Sequence, residues 1–420
     1  MDAIIDYRGK TPEKTDYGIP LITAKIVKGG QIQKPEEFIS PADYDSWMRR
    51  GIPAPGDIVL TTEAPLGEVA QLDKRKVALA QRLIALRGKR NLLDNTFLKY
   101  LMQSDFVQDQ LKSRASGSTV SGIKQSELRK IDLFVPPLPI QHRIAHILGS
   151  LDDKIELNRH MNETLEAMAS AIFKSWFVDF DPVRAKAEGR KPVGIDAETA
   201  ALFPDGFEEV DGREMPRGWG VGPISNCCQR VENGGTPRRD HPEYWDLPEI
   251  PWLTSGEVRQ EIITSTENRI SKLGFENSSA KLWPKGTSVI ALYGATAGQV
   301  SLISTELCAN QACCALIPKN KMRYFNYLAM SSAVKSLEKQ ASGSAQQNLS
   351  QKIVAEYEIC QPSQEILNQF DNVVEPLFEV WISNIQQSRT LGEIRGALLP
   401  KLMSGEINIL NSNIISDEAL

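Results

Sequence analysis

One segment determines the architecture of this chain: residues 139–180, PIQHRIAHILGSLDDKIELNRHMNETLEAMASAIFKSWFVDF. It contains no proline after its first residue, and its one glycine is Gly149. Read in heptads, it carries apolar side chains at most a and d positions, a sustained pattern that indicates a coiled-coil helix. The a positions are Ile144, Leu151, Asn158, Leu165 and Ile172, and the d positions are Leu148, Ile155, Asn162, Ala169 and Trp176.

Adding 226 to each of these numbers gives a second copy of the pattern, in residues 362–407. Both copies place an asparagine at the middle a position, where it sets register and pairing at some cost in stability. We predict that the two helices pair as an antiparallel coiled coil, although two amphipathic helices packed on separate domains would show the same stripe. Pro376 predicts a kink in the second helix. The predicted pairing residues are Leu151, Asn158, Leu165, Leu377, Asn384 and Leu391.

The segment before each helix is also duplicated. Gly9-Lys10-Thr11-Pro12 returns as Gly234-Gly235-Thr236-Pro237, and the sequence ASGS at 115–118 returns unchanged at 341–344. Valine-, isoleucine- and leucine-rich runs at 56–61, 67–72 and 79–86 predict strands, with a helix over 97–111. The second copy repeats these signals at 286–293, 298–304, 312–317 and 324–339. The prediction is a mixed α/β (α+β) fold in two duplicated blocks.

These observations divide the chain into six segments. They are a first globular block at 1–138, a long helix at 139–180, a proline- and glycine-rich connector at 181–215, a second block at 216–361, a second long helix at 362–407 and a frayed tail at 408–420. The second block opens with Pro216-Arg217-Gly218-Trp219, whereas the first starts near Asp6–Gly9. It stays open whether the first block lacks an opening helix.

Length and composition exclude several classes of protein. The 420 residues suffice for two or three domains, and a hydrophobic fraction of 41% indicates a globular chain. No apolar run approaches the ~20 residues that span a bilayer, and no signal peptide is recognisable. The six cysteines contain no C-x-x-C pair, so neither a disulfide framework nor a zinc site is predicted. We expect a cytoplasmic protein without a metal.

Charge is unevenly distributed along the chain. Residues 1–138 contain 21 Lys and Arg against 17 Asp and Glu, and residues 216–361 contain 15 against 13. The helix and connector at 139–215 contain 9 against 15, and residues 362–420 contain 3 against 8. Basic blocks that alternate with acidic helices are a pointer to a nucleic-acid partner, although solvated basic faces are common.

No catalytic motif is found. Gly9-Lys10-Thr11 resembles the end of a P-loop, but Ile4 stands where the loop needs its first glycine. No Asn/Asp-Pro-Pro-Tyr/Phe stretch occurs, the motif expected of an enzyme that methylates base amino groups. His142 and His146 lack the glutamate of an H-E-x-x-H motif, so we interpret them as surface histidines. The pattern favours a binding protein without a catalytic site of its own.

Two basic blocks on helical spacers, both duplicated, resemble the specificity subunit of type I DNA restriction–modification enzymes. Gly-x-Thr-Pro near the start of each half is similar to the family pattern. Further similar stretches are PPLPIQ at 136–141, LDDKI at 151–155, FKSWF at 173–177 and LPKLMSGEI at 399–407. The resemblance covers nearly the whole chain, and the order of the motifs makes it specific.

The resemblance implies a non-catalytic role in DNA recognition. Each block would be a target recognition domain that reads one half of a bipartite, asymmetric site on double-stranded DNA. The helices would set the spacer between the halves and dock two methyltransferase subunits, and through them two restriction subunits. No cofactor would bind this chain, whereas S-adenosylmethionine, ATP and Mg²⁺ would serve the partner subunits.

Base-reading side chains are expected on loops of the two blocks, because Arg pairs with guanine and Asn or Gln with adenine. In the first block the candidates are Arg8, Lys10, Thr11, Lys25, Thr61, Thr62, Ser118 and Lys124. In the second block they are Arg238, Arg239, Arg259, Tyr293, Thr296, Gln346, Gln347 and Asn348. For any one of them, a phosphate contact or a merely solvated side chain is the competing interpretation.

Two other hypotheses compete with this reading. A protein–protein assembly scaffold would also place two interaction domains on a coiled coil, without binding DNA. A fused restriction enzyme that modifies or cuts unaided is disfavoured by the missing methylation motif.

Overall fold

The computed structural model describes residues 1–7, 12–117, 120–340 and 348–407. The chain divides into two units, which we call unit 1 (Met1–Glu156 with Arg389–Leu420) and unit 2 (Leu157–Ser388). The two long helices cross the boundary, so each unit contains a globular block and a segment of each helix.

Unit 1 combines short strands with helices. The strands are β1 (Ala3–Asp6), β2 (Ile19–Ile22), β3 (Val27–Lys28), β4 (Gln31–Ile32), β5 (Phe38–Ile39), β6 (Ile58–Thr62), β7 (Leu66–Gln71), β8 (Ala78–Leu79) and β9 (Leu83–Arg87). The helices are α1 (Tyr44–Trp47), α2 (Asn95–Gln103), α3 (Asp105–Ser113), α4 (Gln125–Leu128) and the long α5 (Leu138–Phe177), which continues into unit 2.

Unit 2 contains the corresponding set. The helices are α6 (Asp181–Ala187), α7 (Ala197–Leu202), α8 (Lys272–Glu276), α9 (Arg323–Gln340), α10 (Gln351–Ala355) and the long α11 (Gln364–Ser404), which ends in unit 1. The strands are β10 (Phe207–Val210), β11 (Arg213–Pro216), β12 (Gly220–Pro223), β13 (Cys228–Asn233), β14 (Ile250–Leu253), β15 (Ile262–Ile263), β16 (Asn268–Ile270), β17 (Ser288–Ala291), β18 (Val300–Ile303), β19 (Cys308–Ala309), β20 (Cys313–Pro318) and β21 (Glu358–Gln361).

The two blocks repeat one strand order. The main sheet is β1-β9-β6-β7 in unit 1 and β13-β20-β17-β18 in unit 2, where β15 is added at the edge. Each unit also has a second, three-stranded sheet, which is β5-β2-β8 in unit 1 and β16-β14-β19 in unit 2. Its middle strand pairs antiparallel with the first strand of that order and parallel with the last. The predicted duplication of a mixed α/β block is confirmed.

The main sheets are covered on both faces, which explains their unbroken apolar runs. In β6, Ile58 and Leu60 face a cluster that includes α2, whereas Val59 between them faces a second cluster. In β17, Ile290 likewise packs in one cluster, and Val289 packs in another on the opposite face of the sheet. Each block therefore consists of three layers around its main sheet.

The long helices pair antiparallel, as predicted. In unit 2, Asn158 Nδ2 lies 3.4 Å from the Asn384 carbonyl oxygen and 2.9 Å from Gln387 Oε1. Further along α5, the Phe173 ring lies 6.1 Å from that of Phe370. Residues further along α5 therefore contact residues earlier in α11, which makes the two helices antiparallel. In unit 1, side chains of the two helices meet at Asp152 and Arg395, which follows the same direction.

Burial along the seam is uneven. Leu165 is buried, whereas Leu151, Leu377 and Leu391 are half-buried. The d positions are better covered, with Leu148, Ala169, Trp176, Val374, Trp381 and Leu402 all buried. The middle of the seam is polar, since its a positions are the two asparagines. Helix α11 runs through Pro376 without interruption, from Gln364 to Ser404.

Two segments differ from the prediction. The single helix expected over 97–111 is two helices, because Ser104 has an extended backbone and its hydroxyl donates to the Leu101 carbonyl at 2.6 Å. The predicted connector is folded: it forms α6, α7 and the β10–β11 hairpin, and it buries Val183 and Phe203 in the core of unit 2. Its proline and glycine content reflects tight turns between short elements. The predicted frayed tail lies outside the described residues.

Candidate nucleic-acid interface

In unit 2, several loops meet at one edge of the sheets. Strands β13 and β17 end there, opposite the start of β20, and β14 and β19 end beside each other. Backbone hydrogen bonds tie the loops together, from Gly235 N to Ala309 O at 2.8 Å and from Leu292 N to Ala312 O at 2.8 Å. We call residues 234–240, 254–259, 292–297, 310–312 and 348 the loop edge of unit 2. Backbone hydrogen bonds therefore fix the shape of this edge independently of its side chains.

The same edge exists in unit 1. Thr62 N donates to Arg82 O at 2.9 Å and Ile123 N donates to Thr62 O at 3.0 Å, the counterparts of the bonds that Leu292 makes with Ala312 and Leu349. Residues 23–26, 62–65, 80–82 and 122–124 form this loop edge of unit 1. Each block therefore presents an equivalent set of loops.

Steric contacts explain the two glycines of the Gly-Gly-Thr-Pro motif at 234–237. A Cβ added to Gly234 would lie 2.3 Å from Ala309 O, and one added to Gly235 would lie 2.4 Å from the Ser279 backbone. Only glycine allows the chain to turn away from β13 this close to neighbouring backbone. The motif therefore fixes how the 234–240 loop leaves the sheet.

A buried carboxylate shapes the next loop. Glu257 Oε2 accepts from Thr254 N and Thr254 Oγ1, both at 2.9 Å, and Oε1 accepts from Glu267 N at 2.9 Å. This capping box holds the 3-10 turn Ser255–Glu257. The sequence reasoning missed Glu257, although the T-x-x-E spacing was a signal that could have revealed it.

Four predicted residues of the second block are brought together. Arg259 Nε donates to Gly256 O at 2.6 Å, and Thr296 Oγ1 donates to Ser255 O at 2.9 Å. Tyr293 is 42% exposed and pairs through its backbone with exposed Asn348. These side chains lie on adjoining loops of the edge, where one DNA groove could meet them.

Arg238 and Arg239 lie on the loop that follows the glycine pair, and their guanidinium groups have different surroundings. Arg238 forms a fork with Asp240, with distances of 3.1 and 2.6 Å. The hydrogen bond from Arg238 lowers the pKa of Asp240 below its usual value. Arg239 instead stacks over Trp245, 4.3 Å from the ring centroid.

In the first block, two of the predicted residues are exposed and two are buried. Lys25 and Lys124 are exposed on the loop edge of unit 1. Thr61 and Thr62 are buried in β6, where Thr61 Oγ1 accepts from Glu68 N at 2.9 Å, so neither side chain is available to DNA. They were predicted on a loop, but both belong to β6, in a sheet that is covered on both faces.

Six predicted residues lie outside the described residues: Arg8, Lys10, Thr11, Ser118, Gln346 and Gln347. The prediction for them stands as it was made. On the described part of the same edge, sequence reasoning missed the ion pair of Arg82 with Glu63 at 2.8 Å, which is roughly half exposed. Arg82 sits between two apolar strand segments, and only the strand pairing brings it to Glu63.

The six cysteines are unpaired and five are buried. Burial raises the pKa of Cys228, Cys308 and Cys314 to about 12, so these thiols are protonated at neutral pH. Over the described ranges, no three His, Cys, Asp or Glu side chains are grouped as metal ligands. No helix in that part of the chain is both long and apolar enough to span a membrane.

Substituting Gly234 with alanine is expected to destabilise unit 2 by about 1–3 kcal/mol, because the new methyl group overlaps the Ala309 carbonyl. Gly392→Ala is the matched control: an added Cβ there meets nothing within 4 Å, and we expect a gain of about 0.5–1 kcal/mol from helix propensity. Urea unfolding followed by tryptophan fluorescence measures both. Equal effects from the two substitutions would contradict the steric argument.

Comparison with known proteins identifies the fold's relatives. A family model for the type I restriction modification DNA specificity domain matches residues 7–167 and again 216–376. Over 380 residues the chain is 32% identical to the specificity subunit of the type I restriction enzyme HindI from Haemophilus influenzae, covering 80% of this chain and 82% of that one. It is 27% identical over 418 residues to the MjaIX specificity subunit from Methanocaldococcus jannaschii, covering 96% and 90%.

A solved structure supports the fold. The S subunit of a type I restriction–modification system from M. genitalium aligns with a TM-score of 0.57 at 17% identity, over 96% of this chain and 94% of that one. The family model covers more than half of the chain, with one copy on each duplicated block and part of its helix. This chain therefore belongs to the family of type I restriction–modification DNA specificity proteins.

Proposed function

We propose that this chain is the DNA sequence-specificity subunit of a type I restriction–modification complex, in which each loop edge reads one half of a bipartite, asymmetric site. The observation that carries the proposal is the duplication of one block, with the same loop edge in both copies and a long helix after each. Sequence readout requires side chains that reach base edges, and rigidly held loops supply them. The family's specificity subunits are non-catalytic, and this role needs no reaction at the edge.

Both long helices expose apolar side chains. Exposed apolar side chains follow one face of α5 in unit 2, at Leu157, Met161 and Met168. Helix α11 exposes Val373 and Val380. Apolar residues exposed along a helix favour a protein partner. We propose that two methyltransferase subunits dock on the helices, with two restriction subunits bound through them, and that the complex works in the cytoplasm.

Cofactors belong to the partners in this proposal. The methyltransferase subunits would use S-adenosylmethionine to methylate adenines, and the restriction subunits would use ATP and Mg²⁺. The competing hypothesis of an assembly scaffold without DNA binding has no specific observation in its favour, because the family that the chain belongs to is one of DNA specificity domains.

Adenine methylation tests the proposal. The chain should be co-expressed with its methyltransferase subunits in a host that lacks adenine methylation, and methylated adenines should then be mapped across the genome. We expect one split motif with a fixed spacer, and a complex that prefers a duplex with this motif over a shuffled one. Omission of this chain is the control and should abolish methylation. Methylation without a shared motif, or equal binding to both duplexes, would favour the scaffold.

A further inference from the structure

Three arginines on the loop edge of unit 2 differ in how their donors are used. Arg238 is committed to Asp240 through a forked ion pair. Arg259 is bonded through Nε to the Gly256 carbonyl. Arg239 forms no ion pair or hydrogen bond with the described residues, and its guanidinium instead lies 4.3 Å above Trp245 and 5.6 Å from Trp252. The cation–π contact holds the guanidinium against the ring without using any of its N–H donors.

The stacking platform is itself fixed in place. Trp245 meets Trp252 edge to face, with ring centroids 5.1 Å apart and planes at 87°. Trp245 Nε1 donates to Arg238 O at 3.2 Å. Trp252 is buried, and its Nε1 donates to Gly235 O at 3.1 Å. Hydrogen bonds therefore attach both tryptophans to the 234–240 loop. Close contact with neighbouring backbone at Gly234 and Gly235 fixes the path of that loop.

We infer that Arg239 is the DNA-contacting arginine of this loop and that Trp245 is its positioning residue. The ligand is a pair of acceptors on DNA, the N7 and O6 edge of guanine, which a guanidinium fork matches bidentately. A side chain pre-positioned by an aromatic ring loses less freedom on binding than a mobile one. Arg238, whose fork is already occupied, is not the reader. This inference rests on the proposed function and names a residue within it.

The test uses the complete complex of this chain with its methyltransferase subunits and a duplex that carries the methylated motif. Arg239→Ala should weaken binding about 5- to 150-fold and relax discrimination at one guanine position. Trp245→Leu should weaken binding about 2- to 30-fold, with Trp245→Phe recovering most of the loss because a ring remains. Arg213→Ala is the matched control, because Arg213 is an exposed arginine of unit 2 that pairs with Glu358 outside the loop edge, and it should change affinity less than about threefold. Arg238→Ala should weaken binding less than Arg239→Ala does.

The salt dependence of binding separates base from phosphate. If Arg239 reads guanine, its loss changes one position of the motif and leaves the salt slope unchanged. If Arg239→Ala instead weakens all duplexes evenly and lowers the salt slope by about one, the acceptors are phosphate oxygens and the assignment to guanine is overturned. Arg239 is exposed, so its alanine variant should unfold at the wild-type temperature.

Failure of this inference differs from failure of the proposed function. If the wild-type complex does not discriminate between duplexes, the proposed function is wrong. If the wild type discriminates and Arg239→Ala binds with the same affinity and specificity, the role of Arg239 is wrong while the function stands. A larger loss from Arg238→Ala than from Arg239→Ala would overturn it as well.

Discussion

Replacing Asp152 with asparagine should lower the free energy of unfolding of unit 1 by about 3–5 kcal/mol, because it leaves buried charge without a partner. Asp152 on α5 is buried, with Lys99 Nζ at 2.6 Å and Tyr100 OH at 2.7 Å from its Oδ2. Arg395 from α11 donates to the other carboxylate oxygen. One carboxylate thus joins the recognition block to both long helices of unit 1.

Unit 2 supplies the matched control, because the positions equivalent to Lys99, Asp152 and Arg395 carry no charged side chain there. Asn326 stands where Lys99 stands in unit 1, within the related stretches FNYL and LKYL. With the offset of 226, Phe378 replaces Asp152 and Ala169 replaces Arg395. Phe378 and Ala169 are fully buried, and Phe378 stacks on Tyr324 at 4.3 Å.

The triple variant Lys99→Asn, Asp152→Phe, Arg395→Ala should therefore recover most of the stability that Asp152→Asn loses. Removal of a whole buried charge cluster is far less costly than removal of one member. Urea unfolding gives the free energies, and hydrogen exchange of α2 amides reports on unit 1 alone. An Asp152→Asn chain as stable as the wild type, or a triple variant no better than the single one, would contradict the argument.

The effect should depend on pH with a defined sign. Burial alone would raise the pKa of Asp152, but Lys99, Tyr100 and Arg395 outweigh it and hold the pKa below the ordinary value of 3.8. A lowered folded-state pKa contributes stability that is complete above the unfolded-state pKa and is lost as the pH falls through the folded-state pKa. The stability difference between wild type and Asp152→Asn should therefore be full at neutral pH and shrink below about pH 3.8.

Exchanging residues 216–361 for the equivalent block of a relative should change one half of the methylated motif and leave the other half intact. The block is self-contained at its ends, because β12 pairs with β21 in the register Gly220 to Gln361. The chain thus enters and leaves through one two-stranded ribbon. Each wrong base pair costs about 1–3 kcal/mol, so binding to the old motif should be lost entirely.

Insertions in the long helices provide the complementary experiment. A few residues added to α5 or α11 should change the spacer between the half-sites and leave the bases of both halves unchanged, because spacing depends on the distance between rigid bodies. Mapping of methylated adenines reads both results, with the wild-type chain as the reference. A block exchange that alters both halves, or neither, would contradict modular recognition, and so would an insertion that changes base identity.

Local periodicity in the sequence was enough to predict the repeated strands, the two long helices and their register. The heptads at 139–180 and 362–407 matched Asn158 with Asn384, and the contact is present. These features are predictable because a helix or strand repeats its buried positions at a fixed interval along the chain. The break at Ser104 has no such signal, since it depends on one hydroxyl and one extended backbone position.

Which side chains of the candidate interface are available to DNA depends on the tertiary structure alone. Thr61 and Thr62 stand at the end of β6, where layers on both faces of the sheet bury them. Arg238 and Arg239 are adjacent and chemically identical, yet one faces Asp240 and the other Trp245. The partners of Asp152 come from distant parts of the chain, where no short sequence window joins them. Periodicity specifies elements, whereas the environment of a side chain depends on which elements the fold packs against it.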